Sequence, residues 1–177
     1  MQKLKLIYFL IIILLPTKLY ALIEVDITRG NLNPLPIAVS PLYSDLETTN
    51  KLKKEIKIDK IGNEISVVIE NNLKATGLFN PLEKKAFLQK PDVAHLKPRF
   101  EDWSLIKAQA LITGQVEFKE GKVRVEFRLW DVLAGKEMLA IAFTTVPNNW
   151  RRIGHIISDK IYERLTGEKG YFDTRII

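Results

Sequence analysis

Apolar and polar residues alternate with the period of a β-strand in the first part of the chain. Ile23, Val25 and Ile27 are separated by single polar residues, which predicts a short strand. The segment PIAVSPL, residues 36–42, is mostly apolar and predicts a second strand that is buried on both faces. Residues 43–60 are polar and rich in lysine, so we interpret them as a connecting loop that leads into a helix.

Two longer segments have the period of an amphipathic helix. The first covers residues 60–76 and is followed by Gly77, a residue that commonly ends helices. The second begins where Asn148 or Asn149 can cap a helix by accepting a backbone N–H, and it ends at Gly167. The apolar stripes are Ile61, Ile65, Val68, Ile69 and Leu73 in the first helix and Trp150, Ile153, Ile157, Ile161 and Leu165 in the second.

Three strand patterns joined by short turns lie between these helices, after a short helix predicted near residues 100–108. They cover residues 110–118, 123–131 and 137–146, and their short connections predict an antiparallel meander with one apolar and one wet face. The chain is therefore predicted to have an α+β fold, a two-layer α/β sandwich. Its mixed β-sheet, which includes the antiparallel meander, is covered on one face by two main helices.

Residues 1–21 have the layout of a secretory signal peptide. Lys3 and Lys5 precede an apolar run, residues 6–15, which Pro16 interrupts, and Ala21 stands where cleavage requires a small residue. The run is about half of the ~20 residues that a membrane-spanning helix needs. We expect cleavage after Ala21 and a periplasmic location, with an uncleaved amino-terminal anchor as the alternative.

Composition excludes several kinds of chemistry. The 177 residues include no cysteine, so a lipid-bearing cysteine, a disulfide, a thiol nucleophile and a thiolate metal site are all excluded. The formal net charge of +6 falls to +3 in the mature chain, because three of the 27 basic residues lie in residues 1–21 and all 21 acidic residues lie outside them. A charge of +3 is not evidence for nucleic-acid binding.

Candidate catalytic and metal-binding residues are few. His95 and His155 are far apart in the chain, so a metal site is not expected. His155, Ser158 and Asp159 can share one side of a helix, but a hydrolytic triad also needs a cleft and oxyanion donors, so a polar helix surface is the simpler interpretation. Phosphate-loop motifs do not match. We therefore predict no catalytic residue, no metal, no cofactor and no small-molecule substrate.

Two further groups of residues are candidates for binding surfaces. Trp103, Trp130 and Trp150 lie on three different elements, which favours core or helix-end positions over a platform for stacked bases, and no nucleic-acid partner is predicted. A lysine cluster offers a possible partner patch, but a solvated loop or first helical turn is the simpler interpretation. Its members are Lys51, Lys53, Lys54 and Lys57.

Four segments of the mature chain together resemble the amino-terminal domain of the TolB family, the periplasmic component of the Tol–Pal envelope system. They are IEVDITRGNLNPLPIAVSPL, KATGLFNPL, ITGQV with VEFRLWDVLAGKEML, and NNWRRIGHIISDKIYERLTGEKGYFDTRI. The last segment is the most specific because it is a long match. The resemblance divides the chain into a signal peptide (1–21), an amino-terminal arm or strand (22–34), a TolB-like α/β domain (35–167), and a linker or start of a β-propeller (168–177).

The resemblance implies a scaffold that binds proteins and is not an enzyme. In the family, the mature amino terminus is a recognition segment for TolA, the energised inner-membrane partner. This role carries over to an arm made of Leu22, Ile23, Glu24, Val25, Asp26, Ile27, Thr28, Arg29 and Gly30. The implied function is to support outer-membrane integrity and envelope constriction during cell division. An alternating strand at a free end can pair its main chain with a partner's sheet edge, although an edge strand of its own sheet is the alternative.

This sequence departs from the family pattern after the segment GYFDTRI, where the family continues into a six-bladed β-propeller. Because the family contacts the lipoprotein Pal through that propeller, a Pal-like partner is not carried over. The chain is expected to be a truncated gene product, one half of a split protein or a fragment. The alternatives for its function are a remnant without binding activity, a cell-envelope hydrolase and a basic nucleic-acid-binding domain.

Overall fold

The computed structural model of the chain describes residues 23–25 and 33–174. Its strands are β1 (Leu35–Val39), β2 (Phe79–Pro81), β3 (Ala110–Lys119), β4 (Lys122–Asp131) and β5 (Lys136–Thr145). Its α-helices are α1 (Leu46–Ile56), α2 (Ile61–Ala75), α3 (Pro91–Ala94), α4 (Phe100–Leu105) and α5 (Trp150–Thr166). Short 3-10 turns cover Lys84–Ala86 and Pro147–Asn149.

The described strands form a mixed sheet in the order β2-β1-β3-β4-β5. Strand β1 is central to the parallel part, where Leu35 lies opposite Phe79 and Ile37 lies opposite Ala110. Parallel neighbours need long crossover connections, and α1 and α2 supply the one between β1 and β2. Strands β3, β4 and β5 form an antiparallel meander, which confirms the predicted fold class.

The main core lies between one face of the sheet and the helices α2 and α5. Alternate residues of β4 are buried because a strand directs successive side chains to opposite faces. Both predicted helical stripes face this core; Trp150 alone is only half-buried. The two helices approach closely at Gly154, where a Cβ atom would lie 2.8 Å from Val68 Cγ1.

The opposite face of the sheet is divided between a second, smaller core and a charged surface. Trp103 from α4 is buried with Ala38, Leu111 and Val132. Gln89 completes this layer with three hydrogen bonds. Its Oε1 accepts from the Trp103 indole N–H at 3.1 Å and from the Arg99 backbone N–H at 3.0 Å. Its Nε2 donates to the Lys97 carbonyl oxygen at 3.0 Å. The remainder is the predicted wet face, which carries Arg124, Glu126 and Arg128.

Two sequence-based expectations about helices are wrong. Part of the segment expected to be a connecting loop forms α1, because Asp45 caps the helix at Thr48 N with a 2.6 Å hydrogen bond and Leu52 is fully buried. Asn149 does not cap α5 through its side chain in the described part of the chain. Its Nδ2 instead donates to Thr145 Oγ1 at 3.4 Å, and a 3-10 turn leads into the helix.

Candidate partner-binding arm

Three residues of the predicted arm are described, and all three lie against the domain. Ile23 and Val25 are half-buried and pack on the main core, while Glu24 between them is exposed. The Val25 N–H donates to the carbonyl oxygen of Leu165 at the end of α5, with a distance of 2.7 Å. The Ile23 N–H donates to Asp131 Oδ2 at 3.2 Å. The described part of the arm, Ile23–Val25, is therefore docked by main-chain hydrogen bonds from alternate residues.

Asp131 is the side chain that receives the arm. It ends β4 on the core face and is only 1% exposed. Its Oδ1 accepts the Ala134 N–H at 2.8 Å, which holds the turn between β4 and β5, and its Oδ2 is directed to Ile23. The sequence pattern did not single out Asp131, so this role was not predicted. The one available signal was an acid within an otherwise apolar alternation.

The strand predicted over residues 23–27 is not present at the residues described. Ile23–Val25 belong to no strand of the described structure, because their donors reach a carboxylate and a helix-end carbonyl instead of a neighbouring strand. The other predicted arm residues lie outside the described part of the chain. They are Leu22, Asp26, Ile27, Thr28, Arg29 and Gly30. The predicted signal peptide, residues 1–21, also lies outside it.

The residues weighed as a hydrolytic triad have other partners. Ser158 is fully buried between α2 and α5, where its Oγ donates to the Gly154 carbonyl at 2.8 Å and accepts from Asn72 Nδ2 at 2.9 Å. His155 Nδ1 lies 2.9 Å from the same Asn72 nitrogen. Asp159 accepts two backbone N–H groups of the segment after α5. The hydroxyl of Ser158 therefore links the two helices by hydrogen bonds.

His95 lies far from His155 on the other face of the sheet. Its ring stacks on Tyr43 with a centroid distance of 4.4 Å, and its Nδ1 lies 2.9 Å from the Pro91 carbonyl oxygen, to which it donates. A small cavity of about 110 Å³ beside it is lined by Glu126 and Arg128. Hydrogen bonds from Arg128 and Arg124 lower the pKa of Glu126, so this carboxylate is held in its ionised form.

The tryptophans pack in or beside the protein core, and the lysine cluster lies on a solvent-exposed helix surface. Trp103 is buried, Trp130 donates from Nε1 to Thr113 Oγ1 at 2.9 Å, and Trp150 is half-buried beneath the Arg151 guanidinium. The lysine cluster lies on the exposed side of α1 and at its end, where Lys51 pairs with Glu47 and Lys53 pairs with Asp59. Neither group forms an aromatic platform or a concentrated basic surface.

Among residues 23–25 and 33–174, no group of three or more histidine, cysteine or acidic residues is arranged to hold a metal ion. In the same residues, no helix is both long enough and apolar enough to cross a bilayer. An open groove of about 430 Å³ lies between the loop after β1 and the start of α2; its lining includes Leu42, Tyr43, Asp59 and Lys60. Among the described residues that were predicted to carry function, Ile23 and Val25 are docked on the domain by hydrogen bonds of their own main chain.

A family model and a curated relative both match the chain as one family. The family model of the TolB amino-terminal domain matches residues 23–138. The chain is 72% identical over 169 residues to the Tol-Pal system protein TolB of Pelagibacter ubique (strain HTCC1062), with 96% of this chain and 38% of that relative covered. The chain thus spans about 38% of the length of this curated relative.

A solved structure shows the same fold. The crystal structure of TolB from Acinetobacter baumannii matches 85% of this chain and 33% of that chain, with a TM-score of 0.64. The sequence identity between them is 23%, so this likeness carries information on the fold alone.

Proposed function

Because the chain belongs to the TolB family through its amino-terminal domain, we propose that it is a binding protein of the Tol–Pal system. It acts in the periplasm and catalyses no reaction. Its leader, residues 1–21, is cleaved after Ala21. The arm Leu22–Gly30 then binds a TolA-like inner-membrane protein, and this binding supports outer-membrane integrity and envelope constriction during cell division. The observation that carries the proposal is the docking of Ile23 and Val25 by their main-chain N–H groups.

The geometry of the docked residues suits recognition by strand addition. In an extended chain, alternate residues direct their N–H groups to the same side. Ile23 and Val25 both donate to the domain, and Glu24 between them is exposed. An edge strand of a partner would satisfy the same two donors by main-chain pairing. Docking to the domain and pairing with a partner therefore exclude each other.

Release of the arm has a moderate free-energy cost. The net contribution of each hydrogen bond is about 1 kcal/mol, and the half-buried side chains of Ile23 and Val25 add a partial hydrophobic contribution. The apparent dissociation constant of the partner rises in inverse proportion to the fraction of chains with a free arm. Strand addition by the partner replaces both hydrogen bonds. The docked state and the partner-bound state therefore differ little in free energy, and binding is reversible.

Charge on the arm favours a basic partner surface. Glu24 is exposed even when the arm is docked, and Asp26 is the next acid in the sequence. Acidic residues at the rim of an interface increase the association rate with a basic surface more than they increase affinity. The association rate is therefore expected to fall as the salt concentration rises.

The test is a titration of the mature chain, Leu22–Ile177, with the carboxy-terminal domain of a TolA-like protein, beside a chain that lacks Leu22–Gly30. We expect binding that disappears with the arm. Equal binding by both chains would refute the arm as the binding segment. Binding by neither chain would favour the alternative of a remnant without binding activity.

A pair of proline variants tests which side of the arm is used. Val25→Pro removes a donor that docks the arm, whereas Glu24→Pro restricts the chain equally but removes a donor on the other side. Measured on a peptide of residues 22–30, in which no docking competes, we expect Val25→Pro to weaken partner binding about fivefold, the contribution of one hydrogen bond, and Glu24→Pro to weaken it less. The reverse order would show that docking and partner binding use opposite sides of the arm.

A further inference from the structure

Strand β5 forms a long edge of the sheet. It has 10 residues, and β4 is its only neighbour among the described strands. The opposite edge is β2, which has 3 residues and ends with Pro81. Short strands and prolines are devices that prevent a sheet edge from pairing with other chains. In the part of the chain that the structure describes, one edge of the sheet is therefore protected and the other is open.

The sequence of β5 also lacks the charges that would block pairing. Lys136 and Glu137 are its only charged residues, and they lie at its start, where a register shift interrupts the ladder with β4. The stretch Leu139–Thr145 contains no charged residue and no proline. An uncharged edge strand without proline pairs readily with a further strand.

The turn between β3 and β4 fixes which main-chain groups bond to which neighbour. Glu120 and Gly121 both have positive φ, as a two-residue hairpin turn of type I′ requires, so Lys119 and Lys122 form a hydrogen-bonded pair. Hydrogen-bonded and non-hydrogen-bonded pairs alternate along antiparallel strands. Lys122 and every second residue after it therefore bond to β3, and the residues between them, from Val123 onward, bond to β5.

The same alternation identifies the outward-facing groups of β5. The β4 residues that bond to β5 lie opposite its odd-numbered residues, from Thr145 back to Leu139. The main-chain N–H and carbonyl groups of Ala140, Ala142 and Thr144 therefore point away from the sheet. In the described part of the chain, no further strand or side chain hydrogen-bonds to these groups.

The side chains of β5 suit a second copy of the same strand. Leu139, Ile141 and Phe143 are half-buried at the rim of the main core, while Ala140 and Ala142 on the other face are exposed. In an antiparallel pair with its two-fold axis at Ile141, Leu139 of one copy lies opposite Phe143 of the other, and Ile141 lies opposite itself. Ala140 then lies opposite Ala142, so their outward main-chain groups meet as hydrogen-bonded pairs.

Other registers pair the strands less well. An axis at Ala142 places Leu139 opposite Thr145, and an axis at Ala140 brings Phe143 to the charged start of the strand, where the register shift lies. Cross-strand pairs of apolar residues stabilise a sheet more than an apolar residue opposite a polar one. The axis at Ile141 keeps all three apolar residues of the core face opposite apolar residues.

We propose that two copies of this chain associate through β5 in an antiparallel pair centred on Ile141, which joins their sheets into one continuous sheet. This self-association is separate from the partner binding proposed above, because Ile23 and Val25 dock at Asp131 and Leu165 and not on β5. One strand pair buries less area than a standard interface, so the dimer is transient, with a dissociation constant on the order of 10 µM.

The experiment is analytical ultracentrifugation of residues 22–177 together with hydrogen exchange, both at concentrations from about 1 µM to about 0.5 mM. The leader is omitted because its apolar run can associate by itself. We expect the mass to double over this range and the amides of Ala140, Ala142 and Thr144 to gain about tenfold protection. The Ile141 amide, which already bonds to β4, is the internal control. A chain that stays monomeric would overturn the proposal and leave the edge to a strand of another protein.

A pair of variants at one position tests the main-chain pairing. Ala142→Pro removes an outward N–H group but no hydrogen bond to β4, and proline is tolerated at such edge positions. Ala142→Ser keeps the N–H group and is the control. We expect Ala142→Pro to weaken dimerisation at least tenfold and Ala142→Ser to change it less than twofold. A dimer that tolerates both variants equally would place the interface elsewhere and overturn the proposal.

Two double variants test the register, and they decide the question even if Ala142→Pro does not fold. Ala140→Glu with Ala142→Lys places opposite charges across the dimer. It also suits the chain's own sheet, where Ala140 lies opposite Arg128 and Ala142 lies opposite Glu126. Ala140→Lys with Ala142→Lys places like charges across the dimer. We expect the first double variant to dimerise at least tenfold more tightly than the second; equal dimerisation would contradict the antiparallel register.

A chain that lacks Leu22–Gly30 separates this proposal from the role of the arm. We expect it to dimerise as well as the complete mature chain, because the described arm residues do not contact β5 through their hydrogen bonds. Loss of the dimer with the arm would show that the arm, and not β5, joins the two copies. No readout involves a partner protein, so failure here and failure of partner binding are distinguishable.

Discussion

The carboxylate of Asp159 in α5 holds the backbone of Phe172 in the segment that follows the helix. Its Oδ1 accepts the Phe172 N–H at 2.7 Å, and its Oδ2 accepts the Asp173 N–H at 3.1 Å. Arg152 binds the Asp173 carboxylate through Nε at 2.9 Å and Nη2 at 3.0 Å. The segment therefore runs back along α5, and Phe172 packs on the main core. The chain after Gly167 is therefore docked on the domain at Phe172 and Asp173.

Replacement of Asp159 should release this segment. Asp159→Ala removes both acceptors, so we expect loss of amide protection at Phe172 and Asp173 and a fall of about 1–3 kcal/mol in the free energy of unfolding. Hydrogen exchange and urea unfolding measure the two effects. Glu163→Ala, an exposed position on the same helix, is the control and should leave protection of both amides unchanged. Unchanged protection in Asp159→Ala would show that the aromatic contacts alone dock the segment.

Gly62 is required by a close contact between α2 and the loop after β1. A Cβ atom at this position would lie 1.8 Å from the Leu42 carbonyl oxygen, a backbone atom that cannot move without displacing the loop. We expect Gly62→Ala to lower the free energy of unfolding by about 3 kcal/mol, at the upper end of overpacking effects. Asn71→Ala, an exposed site on the same helix, is the matched control. A Gly62→Ala chain as stable as the control would mean that the loop adjusts freely.

Much of the fold could be predicted because local patterns and the final packing agree. The alternation in β4 and the stripes of α2 and α5 predict the faces that the structure buries. α1 was missed because its buried face is narrow: Thr48 and Leu52 are its only buried residues, and three lysines obscure the period. A polar helix held by one cap and one buried leucine has little signal in the sequence.

The docking of the arm could not be predicted because its acceptors are far away in the sequence. Asp131 lies 108 residues from Ile23, and Leu165 contributes a helix-end carbonyl that any residue type would supply. The alternation of Ile23 and Val25 correctly indicated a segment with one apolar side. It could not distinguish a strand from an extended segment docked on a helix end, since both bury alternate residues.

The half-buried carboxylate of Glu70 should make stability fall with rising pH. Burial raises the pKa of Glu70, and Lys84 Nζ, 3.1 Å from Oε1, offsets part of this effect. When the folded-state pKa is higher than the unfolded one, the folded chain binds more protons, so stability falls as pH rises through this interval. We therefore expect Glu70→Gln to gain stability relative to the wild type between pH 4 and pH 7. Urea unfolding at several pH values measures this difference.

The control for Glu70 is Glu64→Gln, which removes the same charge from the same helix. The difference between the two variants isolates the contribution of the Glu70 site from that of net charge. A Glu70→Gln variant whose relative stability is constant, or falls, from pH 4 to pH 7 would contradict the burial of this carboxylate.

Glu126 on the wet face of the sheet should show the opposite dependence on pH. It accepts from Arg128 Nη2 at 2.9 Å and from Arg124 Nη1 at 3.1 Å, and these bonds lower its pKa. Stability from such a group is present above its unfolded-state pKa, about 4.3, and is lost as pH falls through the lower folded-state pKa. We expect Glu126→Gln to be less stable than the wild type at pH 7, and we expect this difference in stability to disappear toward pH 3.

Glu117→Gln, whose carboxylate lies farther from Arg124 at 3.8 Å, is the control. A gap of the same size at pH 7 and pH 3 would show that the two arginines hold Glu126 without stabilising its charge.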